Sequence, residues 1–179
     1  MRVFVAALGV LLSVAACAQS EQPPVNADDV MFVQMMVQHH RQGIEMAKVG
    51  TARATTPELR TLTSAIASTE QGEVEMMLRW LHSWDQPLTA ATGAHDHSGP
   101  MPQTDVKRIQ ALKKLEKSKD FERDLLNMLI AHQDDAIQMA AAEVSEGAAS
   151  AVKEWAGQVK ASRQGQIDKM TELLKGQTG

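Results

Sequence analysis

The chain has no tyrosine, and its three phenylalanines and three tryptophans make up 3% of 179 residues. Strands draw on aromatic and β-branched side chains, so this shortage argues against a β-rich fold. Cys17 is the only cysteine, which excludes an internal disulfide and leaves stability to the packed core. Positive charge is not in excess: the net charge of −4 gives no basic footprint for nucleic acid. Signatures of catalysis are missing too. There is no G-x-S-x-G serine and no glycine-rich phosphate loop. No glutamate has a histidine three residues later, so the Glu-x-x-His pairs of di-iron bundles are absent.

Apolar residues make up 44% of the chain, with alanine, leucine and eleven methionines prominent. The length fits one domain, and the composition favours helix. Methionine commonly fills irregular gaps in helical cores, so its abundance alone says nothing of ligands.

The first residues read as a leader. Arg2 precedes an almost wholly apolar Val3–Val14, and small residues lead to Cys17. This run is too short to span a bilayer and reads as a secretory signal. Its end resembles a bacterial lipobox. Residues 1–16 are therefore expected to be a lipoprotein signal peptide, with Cys17 lipidated and anchoring the protein to a membrane on the periplasmic face. Ala18, in place of an aspartate, favours the outer membrane. Cleavage after Ala18 would instead give a soluble periplasmic protein. Residues 17–27, with Pro23-Pro24, read as a tether.

The remainder says the same thing twice, 93 residues apart. MMVQHHRQGIEMAK (Met35–Lys48) returns as MLIAHQDDAIQMAA (Met128–Ala141), and EQGEVEMMLRWL (Glu70–Leu81) falls on RQGQIDKMTELL (Arg163–Leu174). A repeated unit fixes the architecture. Hairpin one is expected over 28–84, a His/Met linker over 85–104, and hairpin two over 105–176. Asp28 or Asn26 would cap helix one, and Gly50 would stop it. Thr55-Thr56-Pro57-Glu58 would start helix two with a threonine cap. Helix three is expected from about 105 to 146, broken near Ser118–Asp120, and helix four from Ser150 to Lys175. Two hairpins imply an all-α fold, an antiparallel four-helix bundle spanning 28–176.

On the wheel of helix one, Gln34, Gln38, Arg41, Glu45 and Lys48 form a polar stripe. His39 and His40 fall off it, among apolar neighbours, as does His132 in the second repeat. A buried imidazole needs partners for its nitrogens. Met36 adjoins both histidines of helix one, Met46 lies two turns beyond His39, and Gly43 leaves space between them. Met77 and Met170 occupy equivalent places on the partner helices. Imidazole and thioether together suit Cu(I), or Ag(I), better than harder ions. The expected metal ligands are Met36, His39, His40, Met46 and Met77, with His132, Met139 and Met170 as a degraded second set. His95, His97 and Met101 in the linker could capture an ion loosely. Glu73 and Glu75 face Gln166 and Asp168 in the repeat and so do not suggest a dimetal carboxylate site. Without metal, the histidines would need buried partners such as Gln71. Lys113, Lys114, Glu116, Lys117 and Lys119 read as a solvated face.

The pattern M-x-x-H-H-x-x-A-I-x-M-A followed by Q-x-E-I-x-x-M-x-x-W-L resembles the DUF305 family. Met36, His39, His40, Ile44, Met46 and Ala47 match it, as do Gln71, Glu73, Val74 (for isoleucine), Met77, Trp80 and Leu81. The resemblance covers about residues 28–176. It implies an exported, ferritin-like four-helix protein, and some members of the family are implicated in periplasmic copper binding and resistance. Gly43 replaces the usual alanine. In the second hairpin Gln133 replaces the second histidine and Leu129 the leading methionine. The expectation is an envelope protein that buffers or delivers Cu(I) and is not an enzyme. A metal-free scaffold or interaction module is the alternative, and a ferritin-like metal oxidase a weaker one.

Overall fold

The structure, a computed structural model, describes residues 24–90, 106–115 and 118–177. They form α1 (Ala27–Arg53), α2 (Pro57–Ser83), α3 (Val106–Lys114), α4 (Lys119–Glu146) and α5 (Ser150–Gln177), with no strand among them. α1 packs along α2 and α4 along α5. α1 on α4 joins the two hairpins, and α3 touches α1 and α4 lightly. The fold is the expected all-α bundle, and helix three is broken at Ser118 as anticipated. The Ser118 side chain accepts from Phe121 N at 3.1 Å and starts α4. Cys17, the tether up to Pro23, and His95, His97 and Met101 of the linker lie outside the described residues. No helix among the described residues is long and apolar enough to cross a membrane.

Helix ends depart from the sequence reading in informative ways. At α1, Asn26 is the cap: its side chain accepts from Asp29 N at 2.8 Å, while Asp29 accepts from Asn26 N at 2.7 Å. This reciprocal box satisfies two otherwise orphaned donors. Gly50 does not stop α1, which runs on to Arg53. Glycine is needed there for close approach, since a Cβ would fall 2.6 Å from Thr63 Cγ2 and 2.8 Å from Leu125 Cδ2. Thr56 stands at the N-cap of α2, but its side chain does not cap its own helix. α2 ends where Asp85 adopts a left-handed φ of 53°, a conformation aspartate tolerates better than most residues.

The missing cap of α2 comes from the other hairpin. Glu122 on α4 accepts from Thr56 N at 2.9 Å, Thr55 Oγ1 at 2.8 Å, Thr56 Oγ1 at 2.6 Å and Thr55 N. Burial works to raise the Glu122 carboxyl, but these bonds outweigh it and hold the group below the usual carboxylate range. The mirror arrangement stands at α5. Asp29 on α1 accepts from Ala149 N at 3.0 Å and Ala148 N at 3.2 Å. Asp29 and Glu122 are equivalent in the repeat, as are the two amide pairs they hold.

The apolar core comes in two parts. One contains Phe32, Met36, Val74, Met77 and Leu81 from hairpin one, with Met139, Val152, Trp155 and Val159 from hairpin two. The other contains Met46, Val49 and Leu59 with Leu125, Leu129 and Met170, closed by Ile109 and Leu112 of α3. The repeat exchanges them: Phe32 corresponds to Leu125, Met36 to Leu129 and Met77 to Met170. Trp155 stacks its edge on Trp80 at 5.5 Å and tilts against Phe32 at 5.8 Å. At Phe32, Trp80 and Trp155 the first core is aromatic where the repeat has Leu125, Leu173 and Leu62, while Phe121 is the second core's own aromatic. Gln34, expected on the solvent stripe of α1, is buried, because the chain after α2 folds over it and Pro87 O accepts from its amide at 2.7 Å.

Candidate functional site

Between the two apolar cores runs a belt of buried polar side chains. α1 contributes His39, His40 and Gly43, α2 Glu70 and Glu73, α4 His132 and Gln133, and α5 Arg163 and Gln166. His39, His40, Glu70, His132, Gln133 and Arg163 are all buried. This belt is where the helical wheel placed the histidines, but Glu70 and Arg163, its buried charges, are not residues that the sequence singles out.

The rings of His39 and His132 stack at 3.7 Å between centroids with 8° between planes. They are equivalent residues of the two repeats and meet across the pseudo-twofold axis. Burial holds the His39 imidazole well below its ordinary value, reinforced by His132, His40 and Arg163. Burial likewise brings His132 down to about 3, helped by His40 and Arg163. Both rings are thus neutral at physiological pH. Neither ring nitrogen of His39 has a hydrogen-bond partner. A buried polar atom left so costs roughly 1–3 kcal/mol.

His40 is differently placed. Its Nε2 lies 2.8 Å from Glu73 Oε2 and 3.2 Å from Arg163 Nη2, while Nδ1 is buried without a partner. Arg163 also pairs with Glu73 and comes within 4.0 Å of Glu70 Oε1. Burial acts to raise Glu73, but His40 and Arg163 prevail and hold it below the usual range. Glu70 is raised by burial. Gln133, the counterpart of His40, donates to Gln166 Oε1 at 2.7 Å and to Glu70 Oε1 at 3.1 Å. Gly43 makes the crowding possible: a Cβ there would fall 2.2 Å from Glu70 Oε2 and 2.7 Å from His132 Nε2. The space it leaves is filled by a carboxylate and an imidazole from two other helices. Gln71 is exposed and bonds to Glu75 at 3.1 Å, so it is no partner for the histidines.

The methionines flank the belt. Met36, Met46, Met77, Met139 and Met170 are all buried. Met36, Met46, Met77 and Met170 each lie about one helical turn along their own helix from a belt residue, and Met139 about two. They do not form one group. Met36, Met77 and Met139 belong to the first core, and Met46 and Met170 to the second. In an antiparallel hairpin closing near residue 55, Met46 and Met77 differ by roughly 20 Å along the axis. The expected ligand set of Met36, His39, His40, Met46 and Met77 is therefore divided by the belt. The second set is split likewise, with Met139 in one core and Met170 in the other. Among the described residues no three histidine, cysteine or carboxylate side chains converge closely enough to hold a metal ion. The belt's donors without a partner include both nitrogens of the His39 ring, His40 Nδ1 and Glu70 Oε2, and the thioethers flank them. Of the lysines expected on a solvated face, Lys114 is exposed and Lys113 pairs with Glu45. Glu116 and Lys117 lie outside the described residues, and the side chain of Lys119 is likewise not described.

None of the curated proteins matches the sequence. Solved structures do. A DUF305 fragment from Deinococcus radiodurans matches with a TM-score of 0.75 and 26% identity, over 86% of this chain and 99% of that one. A DUF305 protein from Streptomyces coelicolor matches with a TM-score of 0.77 and 26% identity, over 85% and 94%. CopM in its Cu(II)-bound form matches with a TM-score of 0.69 and 25% identity, over 83% and 96%. The model of DUF305, a domain of unknown function, matches residues 29–174. From the repeat, the paired histidines and the bundle they fold into, the chain belongs to the DUF305 family.

Proposed function

We propose that this protein binds Cu(I), or Ag(I), as cargo in the cell envelope and buffers or delivers it without turnover. The observation that carries this reading is His39: a neutral, buried imidazole with neither nitrogen hydrogen-bonded, one helical turn from the Met36 thioether. Imidazole and thioether form a soft donor set matched to Cu(I). His39 and His132 would supply nitrogen, with Met36 three residues before His39 supplying sulfur. Met77 and Met139 belong to the same core as Met36. On the other side of the belt Leu129 takes the place of Met36, so only one complete set is proposed. CopM, a structural relative solved with copper bound, supports a metal role.

The test is competition for Cu(I) against a Cu(I)-selective chelator, using the mature protein. About one tightly held ion per chain is expected. The His39→Leu variant should lose it while keeping its helical circular dichroism. Absence of uptake, or uptake unchanged in His39→Leu, rejects the reading. Steady oxygen consumption on adding Cu(I) or Fe(II) would point to an oxidase instead.

A second reading, a metal-free envelope scaffold, is favoured by the belt's own ion pairing through Arg163 and Glu73. It predicts that copper tolerance of the cell is indifferent to His39. In either reading Cys17 carries a lipid anchor, and labelled fatty acid should enter the wild type but not Cys17→Ala.

A further inference from the structure

The repeat allows the belt to be compared with its own copy. His40 and Glu73 in hairpin one correspond to Gln133 and Gln166 in hairpin two, and the two pairs are joined alike, at 2.8 Å and 2.7 Å. Glu70 corresponds to Arg163. Equivalent helix positions thus carry opposite charges, and both side chains are buried.

Arg163 Nη2 lies against Glu73 Oε2, 3.2 Å from His40 Nε2 and 4.0 Å from Glu70 Oε1. Two carboxylates and an imidazole around one guanidinium are the residue types of a borderline divalent site, held too far apart by the arginine to close on an ion as they stand. Here the cation is part of the chain. The guanidinium does not fill the set as a metal would: Glu70 Oε2 is buried and has no hydrogen-bond partner. The donors also stand at hydrogen-bond and ion-pair separations around a bulky planar group, wider than the ~2.0–2.2 Å of a metal–ligand bond.

We propose that Arg163 is a built-in counter-cation occupying a latent divalent-metal site formed by His40, Glu70 and Glu73. In the wild type it excludes a borderline ion from that half of the belt and leaves the His39 half for a soft one. This inference rests on the belt geometry alone and stands whether or not His39 binds copper. Removing the arginine leaves buried carboxylates without a counter-charge, which is strongly destabilising. A divalent ion would restore the balance.

Zn(II) is the probe. Arg163→Ala and Arg163→Gln are compared with the wild type by metal analysis after gel filtration and by thermal melting. Each variant should hold about one more Zn(II) per chain than the wild type. Its melting temperature should rise with Zn(II) concentration, as linkage requires of an ion that binds only the folded state. Adding Glu73→Gln to Arg163→Ala should remove both effects, and adding His39→Leu should leave them. Folding that requires Zn(II) supports the proposal equally. It is overturned if the folded variants take up no more Zn(II) than the wild type. It is also overturned if the extra ion survives Glu73→Gln or is lost with His39→Leu, or if neither variant folds with Zn(II).

Discussion

Asp29 and Glu122 stand at equivalent positions of the repeat, and each closes the start of a helix in the opposite hairpin. Neither bond is local in sequence: they span 66 and 120 residues. The hairpins are therefore clamped together at both ends of the bundle by the same device used twice.

Removing either clamp should weaken the fold. Glu122→Ala deprives α2 of all four hydrogen bonds at its N-terminus, and a loss of about 2 kcal/mol is expected, as for other caps. Asp29→Ala should cost a similar amount. The two sites are at opposite ends, so their effects should add in the double variant, measured by urea unfolding. The Glu122 contribution has a definite pH sign. Its folded carboxyl titrates below the ordinary 4.5, so its stabilisation is complete above that value and is lost as pH falls through the folded one.

Glu143 should act in the opposite sense. It is buried beside the Asp29 clamp, and burial, then Asp29, push it up to about 8. Asp28 adds to this from α1, while Lys153 on α5 opposes it. The folded state keeps a proton that the unfolded chain releases above about 4.5. Its effect on stability therefore declines between pH 5 and 8. Glu143→Gln should flatten that decline, seen as a smaller difference between urea midpoints at pH 5 and pH 8.

Two glycines of the repeat should respond oppositely to alanine. At Gly43 a methyl group would displace Glu70 and His132, both themselves buried, and a loss of about 1–3 kcal/mol is expected. At Gly72 a Cβ meets nothing within 4 Å. Alanine there should stabilise α2 by about 1 kcal/mol through helix propensity. Chemical denaturation of the two single variants checks the contrast.

The two adjacent histidines should also separate. His39→Leu removes two unpartnered buried nitrogens and should raise metal-free stability by about 1 kcal/mol. His40→Leu strips from the buried Glu73–Arg163 pair the ring nitrogen that lies 2.8 Å from Glu73 and should lower it by about 2 kcal/mol. Melting of the apo proteins distinguishes them.

The fold was legible because the repeat preserved its hydrophobic period, and the burial of His39, His40 and His132 followed from the wheel of each helix. A wheel gives faces but not heights, so Met46 and Met77 looked like neighbours although the antiparallel turn sends them to opposite ends. The hairpin's closure at Thr55 already implied that separation. The belt was harder to see. Glu70 and Arg163 differ in charge, so their equivalence looks like drift at a surface position until burial shows both inside. Glu73 has Gln166 as its counterpart, so the repeat suggests no paired carboxylates there, yet the structure keeps the same contact with amides in place of charges. Asp29 and Glu122 carried a signal, an acid at the same register in each repeat, but a cap is ordinarily sought on the helix that follows it in sequence. Gln34 is enclosed by Pro87, a contact that no local pattern reports.

Each half of the core takes side chains from both hairpins, so neither hairpin owns a complete interior. A single hairpin cut from this chain would expose half of two interiors, and it could close them only against a copy of itself. The molecule thus has the form of a symmetric homodimer drawn onto one polypeptide. That joining is what permits Gln133, Arg163 and Gln166 to differ from His40, Glu70 and Glu73: in a true homodimer every change on one side of the axis would be forced on the other.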